Sequence, residues 1–449
     1  MGRAKRQHWS RTMNSVSSPM RFGFALVFLP LLVSPNQAFG AEPEFDLVIQ
    51  NARIVDVVGE RVSEPVAIAV RGGRISRIGG KDSSAARYKI NAQGRFLLPG
   101  LWDMHVHALW TPGIWPHASA QFLSNCVVGV RDMGGTLDEL ARARKFRGPA
   151  PRLVAAGPIL DGPDPVDPSV SWAISDAGDA IRAAARLRGK TDFVKVYTLL
   201  PAEAFRPLMA ASRRMKLDVA GHVPYEVGAL AASAAGMRSI EHMQAETGLY
   251  CDPDRPATCD ALFATFNLNG TWQTPTLIAR SVRAHHFAAS HPSAMQSVRE
   301  FPIEVRQFWE AAVKNSEGAP ADEVSRKRKD FEREKKLAAL LISRRVSLLA
   351  GSDAGLPLVP YGISIHRELE LLVTAGLTQG QALRTAIVEP RKYLRRSGPV
   401  GIQTGADADF CLLDRNPLER IDHASASRLT IVSGRVAFSN LDPLPELNR

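Results

Sequence analysis

Two histidines separated by one residue, His105 and His107, are the first feature of the sequence that could carry chemistry. They follow the apolar run 96–100, which predicts a β-strand that ends at the pair. Because side chains alternate along a strand, both imidazoles point to one face and Val106 points to the other. Two imidazoles at a strand end can bind one divalent cation. Taken alone, the pair is equally consistent with polar residues beside a turn, so the rest of the chain decides.

Four further candidate ligands stand at or near the ends of other predicted strands: Lys195, His222, His242 and Asp353. Lys195 interrupts the apolar run 193–197, and a lysine buried in such a run is costly unless it is paired or modified. Taken singly, each of these residues is more often structural, as a buried histidine or a turn aspartate is. Their common position at strand ends favours one shared site.

The elements that would position these residues alternate between strand and helix patterns. The predicted strands are 97–107, 127–133, 152–159, 192–198, 217–223, 238–243, 271–277 and 346–352. The clearest predicted helices are 176–188, 201–215, 226–236 and 322–344. This alternation is typical of an α/β fold, the (β/α)8 barrel of the TIM type, whose functional residues come from the C-terminal ends of its strands. The candidate ligands would then meet at one mouth, and residues 278–321, which lack a regular pattern, are expected to be an irregular excursion beside it.

Both ends of the chain show short alternating apolar runs, which are typical of antiparallel β-structure. These runs occupy 44–98 and 398–438, and we interpret them as two halves of one small β-sandwich domain. The predicted organisation is a signal segment 1–40, one sandwich half 41–98, the barrel 99–397 and the other sandwich half 398–449.

The first segment has the composition of a secretory signal peptide. Five basic residues and no acidic one precede the apolar run 22–33, and small residues stand at 38–40 before Ala41. The apolar run is shorter than the roughly 20 residues that span a bilayer. We therefore expect a cleavable signal rather than a stable membrane anchor, and a secreted or periplasmic protein of a Gram-negative bacterium.

The net charge does not indicate a nucleic-acid partner. Of the formal charge of +11, five positive charges belong to the signal segment, which leaves +6 for the mature chain. The sequence has no long block of Lys and Arg with interleaved aromatic residues. The run 325–336 mixes both signs and predicts a solvated helix face. The expected partner is a small-molecule or dipeptide substrate, and the sequence leaves a homo-oligomer open.

The four cysteines predict two different environments. Cys251 and Cys259 flank a short loop rich in turn formers, and export makes a disulfide between them feasible. Cys126 and Cys411 lie in apolar, strand-like runs and are expected to be buried free thiols.

Taken together, these motifs resemble those of the amidohydrolase superfamily, in its subgroup with a binuclear metal centre. The resemblance covers 44–438, including both terminal β segments. Within the superfamily the chain is most similar to the imidazolonepropionase-related branch, which includes Xaa-Pro and Xaa-Lys/Arg dipeptidases. The positions that carry the resemblance are His105-Val-His107, Lys195, His222, His242, Asp353 and the phrases at 130–135, 221–224 and 366–373.

The resemblance implies a role for each candidate ligand. His105, His107 and Asp353 would bind one divalent ion. His222 and His242 would bind a second, and Lys195, carboxylated by CO2, would bridge the two. Zinc is the first candidate for these ligands. A hydroxide between the ions would attack an amide carbonyl, and Asp353 would take its proton and pass it to the leaving amine.

The function that the resemblance implies is hydrolysis of an amide bond in a small substrate, first of all a dipeptide of the Xaa-Pro or Xaa-Lys/Arg type. The alternative substrates are a cyclic amide, a lactone or an N-acyl amino acid. A metal-free binding or assembly module, an alternative of another class, would predict lost ligands, and none is missing.

Substrate specificity cannot be carried over from the resemblance. Many dipeptidases of the branch have a His-Ala-His-Gly pattern where this chain has a different sequence at 221–225. Tyr225 and His366 are the candidate substrate contacts. Tyr225 is equally consistent with a packing residue at a helix start, and His366 with a solvated helix residue.

Overall fold

The computed structural model describes residues 44–80, 85–245, 248–285, 301–317, 319–441 and 446–447. The predicted export signal at 1–40 lies outside these ranges. Within them, no helix combines the length and the apolar character that crossing a membrane requires.

The strands and helices are numbered here in chain order. The strands are β1 Phe45–Asp56, β2 Arg61–Arg71, β3 Arg74–Ile78, β4 Ala86–Asn91, β5 Phe96–Pro99, β6 Leu101–Val106, β7 Val127–Asp132, β8 Arg152–Ala155, β9 Ile159–Asp161, β10 Ser171–Ala173, β11 Phe193–Val196, β12 Asp218–Gly221, β13 Ser239–Glu241, β14 Gln244–Ala245, β15 Gly248–Leu249, β16 Trp272–Thr274, β17 Phe410–Leu413, β18 Ser427–Val432, β19 Arg435–Ser439 and β20 Glu446–Leu447. The α-helices are α1 Trp115–Ser124, α2 Leu137–Lys145, α3 Ala177–Leu187, α4 Ala202–Arg214, α5 Ala229–Ala234, α6 Ala257–Asn269, α7 Leu277–Ala284, α8 Ile303–Glu317, α9 Ala321–Ser343, α10 Ile363–Thr374, α11 Gln379–Ile387 and α12 Glu389–Tyr393, with a 3-10 helix at Ile421–Ser425.

Strands from both ends of the chain form one nine-stranded sheet. β17 pairs antiparallel with β5, and β18 and β19 continue the sheet beyond β17. On the other side, β1 pairs parallel with β5 and antiparallel with β2. Apolar side chains of this sheet, such as Ile49, Phe410 and Ile431, form a core of their own. The two ends of the chain therefore share a single packed unit of strands.

The middle of the chain is built on parallel strands, which confirms the predicted mixed α/β class. β6, β7 and β8 pair in parallel in that order. The order β10-β9-β11-β12-β13-β16 forms a second, six-stranded parallel sheet. β6, β7 and β11 are buried along their whole length. Complete burial is expected of parallel strands that are covered on both faces.

The segment 346–354 connects these two parallel sheets. The backbone N–H of Leu349 donates to the carbonyl oxygen of Gln273 in β16 at 2.9 Å. The backbone N–H of Met104 in β6 donates to the carbonyl oxygen of Ala350, also at 2.9 Å. The segment forms isolated parallel bridges rather than the continuous strand that was predicted at 346–352. It nevertheless lies between β16 and β6. The last of the predicted strands is therefore next to the first.

Gly100 divides the first predicted strand, 97–107, into two strands of different sheets. β5 lies before it in the nine-stranded sheet, and β6 follows it in the parallel sheet. A Cβ atom at Gly100 would lie only 2.4 Å from the side chain of Val128 in β7. A residue without a side chain is needed at this close approach, and the chain changes sheets there.

Regular helices occupy much of the region 278–321, so the expectation of an irregular excursion is wrong for its described part. α7 and α8 both fall in this region. α7 has no side-chain cap of its own at its first turn. Instead, the carboxylate of Glu368 in α10 accepts a hydrogen bond from the backbone N–H of Ile278 at 2.8 Å. The N–H groups at this helix start are thus satisfied by a residue that is remote in the sequence.

The structure contains two disulfides and no free cysteine among its described residues. One joins Cys251 to Cys259, the pair for which a bond was anticipated. The other joins Cys126 to Cys411, so the expectation of free thiols at these positions is wrong. β17 lies beside β5 and the start of β6, which brings two residues 285 positions apart to a Cα–Cα distance of 5.7 Å. Both residues are buried, as expected.

Candidate metal centre

The candidate ligands come from five different parts of the parallel strands. His105 lies in β6 and His107 directly after it, while Lys195 lies in β11. His222 and His242 are the first residues after β12 and β13, and Asp353 lies in the connecting segment 346–354. All of them except the partly buried His222 expose 6% or less of their surface: His105, His107, Lys195, His242 and Asp353.

Asp353 lies at the centre of this cluster. Its Oδ1 atom is 3.2 Å from Nε2 of His105 and 3.0 Å from Nε2 of His107. Its Oδ2 atom is 3.9 Å from Nδ1 of His242. His105, His242 and Asp353 each offer one ligand atom, and these three atoms all lie within 4.8 Å of one another. These three residues form the group that the geometry brings together most closely.

His222 and Lys195 border the same cluster. The ring centroids of His222 and His242 are 4.8 Å apart. Tyr197 stacks on His222 with a centroid distance of 3.9 Å, and the Nζ atom of Lys195 lies 5.7 Å from the centre of the Tyr197 ring. The Lys195 Nζ atom has no hydrogen-bond partner among the described residues.

The backbone is held in unusual conformations at two of these residues. His242 and Asp353 have φ angles of 65° and 64°, in the left-handed region that non-glycine residues seldom occupy. The N–H of Asp353 donates to the carbonyl oxygen of His105 at 2.7 Å, and the N–H of His242 donates to that of Thr274 at 2.9 Å. Backbone strain that neighbouring strands hold in place is characteristic of functional sites.

Burial shifts three histidines of the cluster and Lys195 toward their neutral forms. It lowers the pKa of His107 to about 4, against the opposing effect of Asp353. It lowers the pKa values of His222 and His242 well below their usual value. The pKa of Lys195 falls to about 8 for the same reason. Neutral imidazole is the form that binds metal ions, so burial favours the metal-binding form of these histidines over the protonated form.

The residues fit a divalent metal ion. Four buried atoms of the candidate ligands make no hydrogen bond within the described chain: His105 Nε2, His107 Nδ1, Lys195 Nζ and Asp353 Oδ1. The short contacts of Asp353 with His105 and His107 therefore lack hydrogen-bond geometry, although their distances are short enough. Unpaired buried polar atoms are costly, and a bound cation would satisfy the nitrogen and oxygen atoms that converge here. Imidazole and carboxylate together suit zinc and its neighbouring divalent metals.

Glu241 and Arg131 are linked to the cluster through His105. Neither residue was predicted as part of the site. Oε2 of Glu241 lies 2.8 Å from Nδ1 of His105. Arg131 Nη2 donates to both carboxylate oxygens of Glu241, at 2.9 and 3.0 Å. Burial opposes ionisation of Glu241, but Arg131 and His105 outweigh it and lower its pKa. The available signal was the presence of charged residues inside the otherwise apolar strands β7 and β13.

Two buried aspartates fix the backbone around the cluster. Asp132 accepts hydrogen bonds from the backbone N–H groups of Ala108 and Leu109, directly after the histidine pair. Asp103 accepts a hydrogen bond from the hydroxyl of Ser352 at 2.5 Å. Burial raises the pKa of Asp132 to about 8 and that of Asp103 to about 6. Both carboxylates thus position the segments that carry the ligands.

A cavity of about 250 Å³ opens beside the cluster. Tyr225 lines it, as expected of a substrate contact. His366 is not among the residues that line it, and the alternative expectation of a solvated helix residue is wrong. It is buried in α10, where its Nε2 atom lies 2.9 Å from the carbonyl oxygen of Asn125. The remaining lining residues are His107, Trp110, Val166, Tyr197, Thr198, His222, His242, Gln244, Arg280, Arg283, Asp353 and Leu356.

The sequence has relatives among known proteins over parts of its length, although no protein-family model matches it. An adenine deaminase of Nitratidesulfovibrio vulgaris is 40% identical over 82 residues, which are 18% of this chain and 14% of that protein. An imidazolonepropionase of Methylobacterium nodulans is 29% identical over 178 residues, which are 36% of this chain and 44% of that protein. The chain thus matches less than half of the length of either relative.

Two solved structures share the fold over most of their length. Bottromycin amidohydrolase matches 87% of this chain and 86% of its own with a TM-score of 0.69 and 22% identity. A putative prolidase from Bifidobacterium longum matches 87% of this chain and 94% of its own, with a TM-score of 0.69 and 20% identity. At these identities the likeness establishes the fold alone.

Proposed function

We propose that this chain belongs to the amidohydrolase superfamily and is a metal-dependent hydrolase that cleaves an amide bond in a small substrate. The observation that carries the proposal is the convergence of His105, His107, His242 and Asp353, several of whose buried ligand atoms have no hydrogen-bond partner among the described residues. A metal-free binding module would have no use for such atoms, because leaving them unpaired costs free energy.

The proposed architecture is a (β/α)8 barrel at 99–397 with a β-sandwich formed by 41–98 and 398–449. Two observations support closure of the barrel. The segment 346–354 is hydrogen-bonded to both β16 and β6. The N–H of Asp192, directly before β11, donates to the carbonyl oxygen of Ala155 in β8 at 2.9 Å. In such a barrel the residues at the C-terminal strand ends share one mouth.

The proposed centre holds two divalent ions, with zinc as the first candidate. His105, His107 and Asp353 would hold one ion, and His222 and His242 the other. Lys195 would bridge them as a carbamate, which would turn a buried amine, unpaired within the described ranges, into an anionic oxygen ligand. When bound, such ions activate a water molecule and polarise the scissile carbonyl.

The residues of the chain would perform the remaining steps. Asp353, whose Oδ1 has no hydrogen-bond partner in the part of the chain that the structure describes, would accept a proton and deliver it to the leaving amine. Glu241 would accept a hydrogen bond from Nδ1 of His105 and so hold the imidazole ring in one orientation. Trp110 and Tyr197, which lie against His107 and His222, would exclude bulk water from the reacting centre.

A dipeptide of the Xaa-Pro or Xaa-Lys/Arg type is the first substrate class to test, because a putative prolidase shares the fold. The small cavity beside the cluster supports a short substrate rather than a long polypeptide. A cyclic amide, a lactone and an N-acyl amino acid are the alternatives. Removal of residues 1–40 on export would place the enzyme in the periplasm or outside the cell.

The test is a substrate panel with the zinc-loaded protein that starts at Ala41. The panel contains Xaa-Pro and Xaa-Lys/Arg dipeptides, N-acyl amino acids, cyclic amides and lactones, each also tested without added metal. We expect hydrolysis of at least one amide class, which a chelator abolishes and zinc restores. Hydrolysis of none of these compounds, or hydrolysis that survives complete metal removal, would refute the proposal.

A further inference from the structure

We infer that Arg280 and Arg283 bind the carboxylate of the substrate's leaving half, and that the acyl half carries no ammonium group, so that the substrate is an N-acyl amino acid. This inference rests on the amide hydrolysis proposed above and narrows its substrate class.

Arg280 and Arg283 are placed together by α7. They are three residues apart, so they lie on the same side of the helix. Both line the cavity beside the metal cluster. Both also line a neighbouring cavity of about 510 Å³, as Gln244 does. The two guanidinium groups therefore stand where the two cavities adjoin.

The helix that carries these arginines is fixed relative to the metal cluster. Thr276, the residue before α7, has its hydroxyl 2.6 Å from Nδ1 of His242. In the first turn of α7, the side chain of Glu368 accepts a hydrogen bond from the backbone N–H of Ile278. These contacts at both sides of the helix start set the distance between the guanidinium groups and the reacting centre before a substrate binds. Such preorganisation reduces the cost of binding.

Both guanidinium groups keep N–H donors that can form hydrogen bonds to an anion. The Arg280 side chain is only 14% exposed, and among the described residues its ion pair is with Glu334, at 3.6 Å from Nε to Oε1. That pair leaves the outer nitrogens of Arg280 for a ligand, since a guanidinium has five N–H donors. Arg283 is exposed and forms no ion pair with any residue that the structure describes. A forked guanidinium matches the geometry of a carboxylate.

The cavity offers no counter-charge for an ammonium group. Asp353 is the one carboxylate among the described residues that line it, and this residue belongs to the metal cluster. The free amino group of a dipeptide, which is on the acyl half, would therefore be enclosed in this cavity without an acidic partner among the described lining residues. That arrangement is unfavourable in a partly enclosed cavity.

The rest of the lining suits an uncharged acyl group. Trp110, Val166, Tyr197, Tyr225 and Leu356 supply aromatic and aliphatic surface in the same cavity. An apolar acyl group would bury its surface against these side chains, which favours binding without any charged contact. The cavity thus combines a cationic part with an apolar part, as an N-acyl amino acid requires.

The experiment uses four related compounds with the zinc-loaded mature protein. The acyl half is either phenylalanyl, which carries an ammonium group, or 3-phenylpropanoyl, which does not. The leaving half is either phenylalanine or phenylalanine amide. We expect kcat/KM to be highest for 3-phenylpropanoyl-phenylalanine. Loss of the carboxylate should lower kcat/KM roughly 10- to 100-fold, the usual scale for hydrogen bonds to a charged group.

The variant Arg283→Ala tests the assignment of the subsite, because this exposed residue can be replaced without leaving a buried charge. We expect it to reduce the preference for the carboxylate over the amide roughly 10- to 100-fold. Arg326→Ala is the matched control, since Arg326 lines the neighbouring cavity and not the cavity of the metal cluster. The control should keep the wild-type preference. Arg280→Lys provides a second variant that preserves the charge beside Glu334 but loses the fork.

The possible outcomes separate this inference from the proposed function. Equal turnover of the acid and the amide, or an unchanged preference in Arg283→Ala, would overturn the subsite while amide hydrolysis stands. A clear preference for the phenylalanyl compounds would overturn the N-acyl assignment. If none of the four is hydrolysed, calorimetric titration of the two 3-phenylpropanoyl compounds decides. Tighter binding of the acid that Arg283→Ala removes would support the subsite, and equal binding would overturn it.

Discussion

Glu241 and His105 meet in a fully buried contact, with 2.8 Å between Oε2 of the glutamate and Nδ1 of the histidine. Since ionised Glu241 only accepts hydrogen bonds, Nδ1 of His105 carries the proton and donates it. The other ring nitrogen, Nε2, faces Asp353, and in a neutral ring it would be the atom that can bind a metal ion. A carboxylate behind a metal-binding histidine fixes its tautomer and its orientation in this way.

Replacement of Glu241 by Gln should weaken both the metal site and the fold. Arg131 would stay buried without a counter-charge, so the free energy of unfolding should fall by about 3–5 kcal/mol. Metal affinity should fall roughly 10- to 100-fold because His105 is held less firmly. Leu412→Ala, in the core of the nine-stranded sheet, is a control that should cost about 2–5 kcal/mol and leave metal affinity unchanged. Wild-type metal affinity in Glu241→Gln would contradict the assigned role.

Replacement of Lys195 by Ala should remove most of the bound metal. The wild-type protein is expected to hold about two divalent ions per chain, counted by elemental analysis, as the ligand set implies. The variant should lose most of them together with most of its activity, because a bridging ligand is missing. The exposed Lys190→Ala is the control and should keep full metal content. Full metal content in Lys195→Ala would show that the carbamate is wrongly assigned.

Replacement of Asp353 by Asn should affect the chemical step more than substrate binding. The amide cannot accept and return a proton, so kcat should fall by about 10²- to 10⁴-fold, the usual scale for a lost general acid–base group. KM should change far less. Metal content is measured in the same samples, so that loss of the ions is not mistaken for loss of proton transfer. Near-wild-type turnover by Asp353→Asn would rule the mechanism out.

The two disulfides should differ in their contribution to stability. In the chain-entropy account, a longer closed loop is constrained more in the unfolded state. The Cys126–Cys411 bond spans 285 residues and the Cys251–Cys259 bond spans 8. Chemical denaturation should show losses of about 5–6 and about 2–3 kcal/mol for the corresponding double alanine variants. Mass spectrometry of non-reduced peptides checks first that both bonds are present, and equal losses would contradict the expectation.

Glu368 should make the fold less stable as the pH rises from about 4.5 to about 8. Burial raises the pKa of this carboxyl group from 4.5 to about 8. In that window the folded chain keeps the proton and the unfolded chain releases it, so the free energy of unfolding falls as pH increases. The variant Glu368→Gln can still accept the N–H of Ile278 but cannot ionise. Its stability, measured by denaturation at pH 5 and pH 8, should change less than that of the wild type, and an identical change would contradict this.

The sequence predicted that the candidate ligands lie at or near strand ends, and the structure brings them together there; their role as ligands stays a prediction. His105, Lys195, His222 and His242 each lie in or directly after a short buried strand. Asp353 was placed correctly beside them, although its segment forms bridges rather than a strand. The reason is local, because strand periodicity and the position of the polar residue are both visible within a few residues.

Contacts between remote parts of the chain were not predictable in the same way. Cys126 and Cys411 become neighbours only because β17 pairs with β5. Arg131 and Glu241 come from different strands and form an ion pair only once the parallel strands assemble. The start of α7 is capped by Glu368 from another helix, so the sequence around it lacks the usual start signal. Each of these features depends on tertiary proximity rather than on local pattern.

The Cys126–Cys411 bond makes the intervening chain a covalently closed ring. Lys195 and Asp353 lie within this ring, and His105 lies on the arm that precedes it. A protease that cuts once at any point between the two cysteines therefore leaves both fragments attached to each other. Only reduction of this bond would let them separate, so a single nick between the two cysteines would leave both parts of the candidate metal centre in one covalently joined molecule.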